Sequence, residues 1–263
     1  MRPDAEGANF VAPEDVAGDT TERVTESGGR ETGAAVTFVI TMAPLPVLPV
    51  SGTSGVFPVG RIFCVGRNYA DHAREMGHDP DREPPFFFMK PSTSLLPEGR
   101  DFRYPSLSDD VHHEMELVIA LGKSGANIPL KDASEHIYGY AAGLDMTRRD
   151  LQAQAKKMGR PWESAKSFDD SAPCGKIEPA SRIGHPMKGA IWLDVNGKRV
   201  QESDISQMIW SVPEIIAELS AVFTLMAGDL IFTGTPSGVG AVHRGDVLRG
   251  GIARVGEVSV RVV

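Results

Sequence analysis

Cysteine is scarce in this chain: Cys64 and Cys174 are its only two among 263 residues. A chain of this length can bury a sizeable core without covalent staples, so two reduced thiols are expected, and their spacing suggests no zinc site. No run of 18 apolar residues occurs, which excludes a transmembrane helix. Met1 to Asp19 lacks a basic segment followed by an apolar one, so no signal peptide is read and a cytoplasmic location is expected. Basic excess is lacking too. Lys and Arg total 27 against 35 Asp and Glu, a net charge of −8, which argues against a nucleic-acid surface. Much of that charge is local, because residues 1–40 carry eight acidic and three basic side chains.

What remains is the composition of a globular protein, 41% apolar and 24% charged. Residues 1–40 read as a flexible acidic tail, too poor in apolar surface to stay ordered alone. Residues 41–60, with Pro44, Pro46 and Pro49 around Val47–Val50, read as an extended segment clamped onto the main body. The compact domain is placed at 61–263. There the pattern is short β-runs broken by Gly and Pro: Arg61–Val65, Glu114–Leu121, Tyr138–Leu144, Leu230–Thr233, Val247–Leu248 and Glu257–Val262. Asn196-Gly197 between Ala190–Val195 and Lys198–Gln201 predicts a hairpin. Helices are expected at Tyr69–Met76, Arg148–Met158 and Val212–Ala221, the last with Pro213 near its start. Strands cluster rather than alternating with long helices, so an α+β fold with mixed sheets is predicted.

Four stretches carry residues suited to chemistry. In His112-His113-Glu114-Met115-Glu116, strand alternation puts Glu114 and Glu116 on one face. Two adjacent carboxylates repel unless a cation lies between them, and oxygen-only ligation suits Mg²⁺, Mn²⁺ or Ca²⁺. A solvated strand face with Met115 and Leu117 buried opposite is the alternative. Asp145, at the end of an apolar strand, adds a third carboxylate or caps a helix. His72 and Glu75 lie three apart on a predicted helix, as an oriented general base needs, or as a surface pair would. Lys166 sits among small and aromatic residues, where partial desolvation competes with ordinary exposure. Phe232 to Gly240 is a strand followed by a Gly-rich loop. It lacks a P-loop lysine, so a plain turn or a ligand-facing loop is read rather than a phosphate cradle.

Taken in order, Val65-Gly66-Arg67-Asn68-Tyr69-Ala70-Asp71-His72, His113-Glu114-Met115-Glu116, Asp145-Met146-Thr147 with Arg149, Asp150 and Gln152, Ala165-Lys166-Ser167-Phe168, and Thr233-Gly234-Thr235-Pro236 resemble the motif series of the fumarylacetoacetate hydrolase family. Residues 74–91 and 151–163 are similar to the family's bacterial fumarylpyruvate hydrolases of the gentisate pathway. The resemblance implies a mixed β-sheet roll, a homodimer, and one Mg²⁺ or Mn²⁺ per subunit held by Glu114, Glu116 and Asp145. It implies a His72–Glu75 base dyad on a lid, Lys166 beside metal and substrate, and Gln152 and Thr235 around the substrate oxygens. The activity implied is metal-dependent hydrolysis of a carbon–carbon bond in a 2,4-dioxo acid such as fumarylpyruvate. General acylpyruvate hydrolysis and oxaloacetate decarboxylation are the alternatives within the family. Arg67, Arg74, His78, Arg82 and Arg149 are the candidate cations for a distal carboxylate.

Overall fold

The computed structural model describes residues 39–41, 43–71 and 83–263, and Ala43–Val263 forms one compact unit. The chain opens with a two-stranded hairpin of β1 (Val47–Pro49) and β2 (Val56–Pro58). Next come β3 (Ile62–Gly66), β4 (Phe86–Lys90), β5 (Leu95–Pro97), β6 (Val111–His113), β7 (Met115–Leu121), β8 (Ile137–Leu144) and β9 (Thr147–Arg148). Two helices follow, α1 (Arg149–Met158) and α2 (Glu163–Lys166). Beyond them lie β10 (Ala172–Cys174), β11 (Glu178–Pro179), α3 (Ala180–Ile183), β12 (Ala190–Val195) and β13 (Lys198–Asp204). The chain closes with α4 (Val212–Val222), β14 (Leu230–Phe232), β15 (Gly240–Ala241), β16 (Val247–Ile252) and β17 (Gly256–Arg261).

The main sheet runs β4-β3-β14-β7-β8-β10-β5, with β11 pairing β8. It is mixed: β3 with β14 and β5 with β10 are parallel, the other pairs antiparallel. A second, antiparallel sheet runs β13-β12-β16-β17, and a small one β15-β6-β9. This is the expected α+β roll with few helices. The predicted hairpin at Asn196-Gly197 is present, with φ of 52° and 79° at its two central residues, as a type I′ turn requires.

β7 explains how the core sits. All seven of its residues are buried, so both faces of the main sheet are covered. Met115, Leu117, Ile119 and Leu121 join a core shared with Ile191, Leu193, Leu248, Val258 and Val260 of the second sheet and with Ile215 and Leu219 of α4. Val118 and Ala120, on the other face, pack with Leu48 and Phe57 of the first hairpin and with Cys64, Cys174 and Phe232. Leu48 and Phe57 of the first hairpin thus cover one sheet face. Each buried large side chain contributes about 1.5–3 kcal/mol. Cys64 and Cys174 are buried and unpaired. Among the described residues no helix is long and apolar enough to cross a membrane.

Candidate active site

Three neighbouring strands of the main sheet end at one place. β7 lies between β8 and β14, with Met115 opposite Leu144, Glu116 opposite Gly143 and Val118 opposite Phe232. Glu114 sits in the break between β6 and β7, and its carbonyl accepts the Asp145 N–H at 2.8 Å. Glu116 is buried, on the same side of β7 as Val118. The Gly234 N–H, just past the end of β14, donates to its Oε2 at 2.7 Å. α1 begins only at Arg149, with Arg148 at its N-cap, so Asp145 is not a helix cap. Glu114, Glu116 and Asp145 each offer a carboxylate oxygen within 4.8 Å of the others, and all three are buried.

Carboxylates at such separations repel by about 3–4 kcal/mol per pair at an effective dielectric near 20. Cations offset this. Lys166, 3% exposed, donates from Nζ to Glu114 Oε2 at 2.8 Å, Asp145 Oδ2 at 2.6 Å and Thr147 Oγ1 at 2.7 Å. Burial pulls the Lys166 ammonium down, but Asp145 and Glu114 outweigh it, and its pKa is pushed up to about 12. Arg149 donates to Glu114 Oε1 at 2.5 Å and to Gln152 Oε1 at 2.7 Å. Glu116 is instead pushed well above the usual carboxylate range by burial, then by Asp145 and Glu114.

The donor set fits a divalent cation. It is all oxygen, as Mg²⁺ and Mn²⁺ prefer, with no thiolate or imidazole in the cluster. Asp145 Oδ1 is buried and ion-paired to Lys90 at 2.9 Å, yet it accepts no aligned hydrogen bond. An oxygen left in that state keeps lone-pair capacity for a metal.

The triad forms the inner end of an open cleft. Arg67, Arg149, Gln152 and Thr235 all line it, as does Lys166. Gln152 and Thr235 are buried, and Thr235 Oγ1 accepts from Gln201 Nε2 at 2.9 Å. Phe86, Phe88 and Trp162 supply aromatic walls, with Trp162 edge-on to Phe86 at 5.3 Å. Arg67 has a left-handed backbone, φ 56°, and its guanidinium lies 5.4 Å from the Phe86 ring centroid. His72 and Glu75 lie outside the described residues, and so do Arg74, His78 and Arg82.

Three residues escaped the sequence reading. Lys90, wholly buried, donates to Ser171 Oγ at 2.9 Å, to Met146 O at 3.3 Å and to the Lys166 carbonyl. Its only sequence signal is a lysine closing an apolar strand. Gln201 joins His113 Nδ1, at 3.1 Å from its Oε1, to the Met115 N–H, Thr235 and the Pro236 carbonyl. No local pattern marks it. Lys156 lines the cleft too, and a signal existed: Arg149, Gln152 and Lys156 are spaced i, i+3, i+7 on one face of α1.

The family model described as fumarylacetoacetate (FAA) hydrolase C-terminal matches residues 61–263. The mitochondrial oxaloacetate tautomerase of Rattus norvegicus is 47% identical over 200 residues, 76% of this chain and 89% of that protein. A fumarylpyruvate hydrolase of Ralstonia sp is 46% identical over 189 residues, 71% of this chain and 98% of the relative. Among solved structures, the fumarylpyruvate hydrolase of Pseudomonas aeruginosa in complex with Mn²⁺ and pyruvate is 54% identical with a TM-score of 0.84, covering 86% of this chain and 99% of that one.

Proposed function

The chain belongs to the fumarylacetoacetate hydrolase C-terminal family, and from that membership we propose a divalent-metal-dependent hydrolase of carbon–carbon bonds in 2,4-dioxo acids, with fumarylpyruvate cleaved to fumarate and pyruvate. The observation that carries the reading is the convergence of Glu114, Glu116 and Asp145, with Lys166, at the inner end of a cleft. These three carboxylates would hold one Mg²⁺ or Mn²⁺. When bound, the metal supplies Lewis acidity to the carboxylate and 2-oxo oxygens of the substrate.

The chain's own groups do the rest. His72, oriented by Glu75, takes a proton from water, and the hydroxide attacks the C4 carbonyl. The C3–C4 bond breaks, and its electrons pass into the enolate of pyruvate, which is then protonated at C3. Lys166 is held by Glu114 Oε2 at 2.8 Å and Asp145 Oδ2 at 2.6 Å, the same carboxylates that would hold the metal. That position makes its ammonium an electrostatic partner for the developing enolate. Arg149 orients Glu114 and Gln152, and this reading assigns Gln152 and Thr235, which line the cleft, to the substrate oxygens. The same reading includes a homodimer in the cytoplasm, as the family resemblance implies.

A second reading, action on oxaloacetate, is supported by the relative named oxaloacetate tautomerase at 47% identity. Tautomerisation or decarboxylation needs no activated water, whereas the His72–Glu75 pair suits hydrolysis. The test is kcat/KM for fumarylpyruvate, acetylpyruvate and oxaloacetate in one Mn²⁺ buffer. Fumarylpyruvate is expected to be fastest. If oxaloacetate is turned over fastest, the hydrolytic reading fails.

A further inference from the structure

Of the cations that line the cleft, two are engaged with the metal-site carboxylates: Arg149 with Glu114, and Lys166 with Glu114 and Asp145. Two are not. Lys156 makes no ion pair among the described residues, and its ammonium lies 5.3 Å from the Trp162 ring centroid. Among the described residues, Arg67 pairs with Glu83 alone, at 4.0 Å, and Glu83 is 73% exposed. A carboxylate so far out in solvent neutralises little. The Lys156 ammonium is lowered by burial first, then by the charges of Arg67 and Arg149. Like charges are thus gathered in a cleft with aromatic walls, which costs stability unless an anion enters. Arg160 is not among the residues that line the cleft and lies instead in a neighbouring groove that also includes Trp162.

The spacing along α1 says where the anion would lie. Arg149, beside Glu114, and Lys156 are seven residues apart, so about 10 Å of helix separates them. A seven-carbon dioxo acid spans roughly 8 Å between its terminal carboxyl carbons, from six bonds of about 1.5 Å. With one end at the carboxylate triad, its other end would reach toward Lys156, and the segment between would pass Phe86, Phe88 and Trp162, which line the same cleft.

We propose that Lys156, with Arg67, forms a subsite for the distal carboxylate of a dicarboxylic 2-oxo acid about seven carbons long. This rests on the reading of the triad as a metal site that chelates a 2-oxo acid. It makes Lys156 a specificity-determining residue and disfavours Arg149, which is already held by Glu114 and Gln152.

The test uses ligands that cannot be hydrolysed, so it does not depend on turnover. 2-Oxopimelate and 2-oxoheptanoate have the same seven-carbon chain, with and without the distal carboxylate. Calorimetry on the full-length Mn²⁺-loaded protein is expected to show 2-oxopimelate binding about ten- to a hundredfold more tightly, the usual worth of a charge-assisted hydrogen bond. Lys156→Met should remove most of that preference, Lys156→Arg should keep it, and Arg67→Met should reduce it. Equal binding of the two ligands by the wild-type protein overturns the subsite. A preference that survives in Lys156→Met overturns the assignment to Lys156. A wild-type protein that shows the preference yet hydrolyses no dioxo acid refutes the proposed reaction and leaves the subsite standing.

Discussion

A fully buried ammonium persists only where oxygens surround it, and Lys90 has four such partners: Asp145 Oδ1, Ser171 Oγ and the carbonyls of Met146 and Lys166. It therefore fixes two features of the site, the Asp145 carboxylate and the backbone that carries Lys166. Removing one partner of a buried ion pair costs about 3–5 kcal/mol. Lys90→Met is expected to lower the melting temperature and to weaken Mn²⁺ binding at least tenfold by calorimetry. In an Asp145→Asn background the same change should add no further loss of Mn²⁺ affinity. A Lys90→Met protein that melts and binds Mn²⁺ like the wild type would show that Asp145 is held by other means. Glu116 leads to a pH prediction. Its folded pKa is raised well above the ordinary carboxylate value of 4.5 by burial, Asp145 and Glu114. A raised carboxylate favours the folded state while protonated, so this contribution is present below about 4.5 and is lost as pH rises through the raised value. Metal must displace that proton. In EDTA the protein should lose stability as pH climbs above 4.5, while Mn²⁺ affinity climbs over the same interval. Melting curves and Mn²⁺ titrations across that range check both signs. Lys166 was legible because small and aromatic neighbours surround it in sequence. Lys90 was not, because the carboxylate and carbonyls that hold it come from distant parts of the chain.

At the scale of elements, α1 shows what could be read and what could not. Its extent follows from an Ala-rich run free of Gly and Pro, and it ends where Gly159 takes φ 61° and closes the helix on the carbonyls of Ala155 and Lys156. The i, i+3, i+7 spacing of Arg149, Gln152 and Lys156 is present in the sequence, but which face of α1 meets the cleft depends on how it packs, so only the fold shows that this row lines it. Gly159→Ala puts a β-carbon into the left-handed region at a cost of about 1 kcal/mol. In a domain of this size that lowers the melting temperature by roughly 2–4 °C. Because the strained turn lies three residues from Lys156, the 2-oxopimelate preference should weaken as well. A melting curve unchanged by Gly159→Ala would mean that the turn relaxes freely. β4 went unread for a physical reason. Phe86, Phe87 and Phe88 do not alternate with polar residues, and Pro84, Pro85 and Pro91 flank them. Prolines there suit an edge strand, which is where β4 lies in the main sheet. Glu114 and Glu116 were placed on one continuous strand. They converge across a break instead, with Glu114 between β6 and β7, and the pairing of β8 onto β7 brings Asp145 to them.

Across the whole molecule, the charges at the site show how it depends on its metal. Three buried carboxylates face three buried or half-buried cations, Lys90, Lys166 and Arg149, and the set is formally neutral with all of them ionised. A divalent cation leaves the site at +2, matched to a dianionic ligand, and Lys156 and Arg67, which also line the cleft, add to the same field. Without the metal, a dianion meets Glu114, Glu116 and Asp145 with no excess positive charge behind them. Binding is therefore expected to be ordered, metal first. At a Mn²⁺ concentration about a hundredfold above Kd the folded state gains about 2.7 kcal/mol. That raises the melting temperature by roughly 5–10 °C. Oxalate, a compact dianion that chelates through two oxygens, should raise it further in the Mn²⁺-loaded protein and leave the EDTA-treated protein unchanged. EDTA should also abolish dioxo-acid hydrolysis, with Mn²⁺ or Mg²⁺ restoring it. Equal stabilisation by oxalate with and without metal would place the anion on the chain's own cations and remove the metal from the binding step. Full hydrolysis in excess EDTA would remove it from the chemistry.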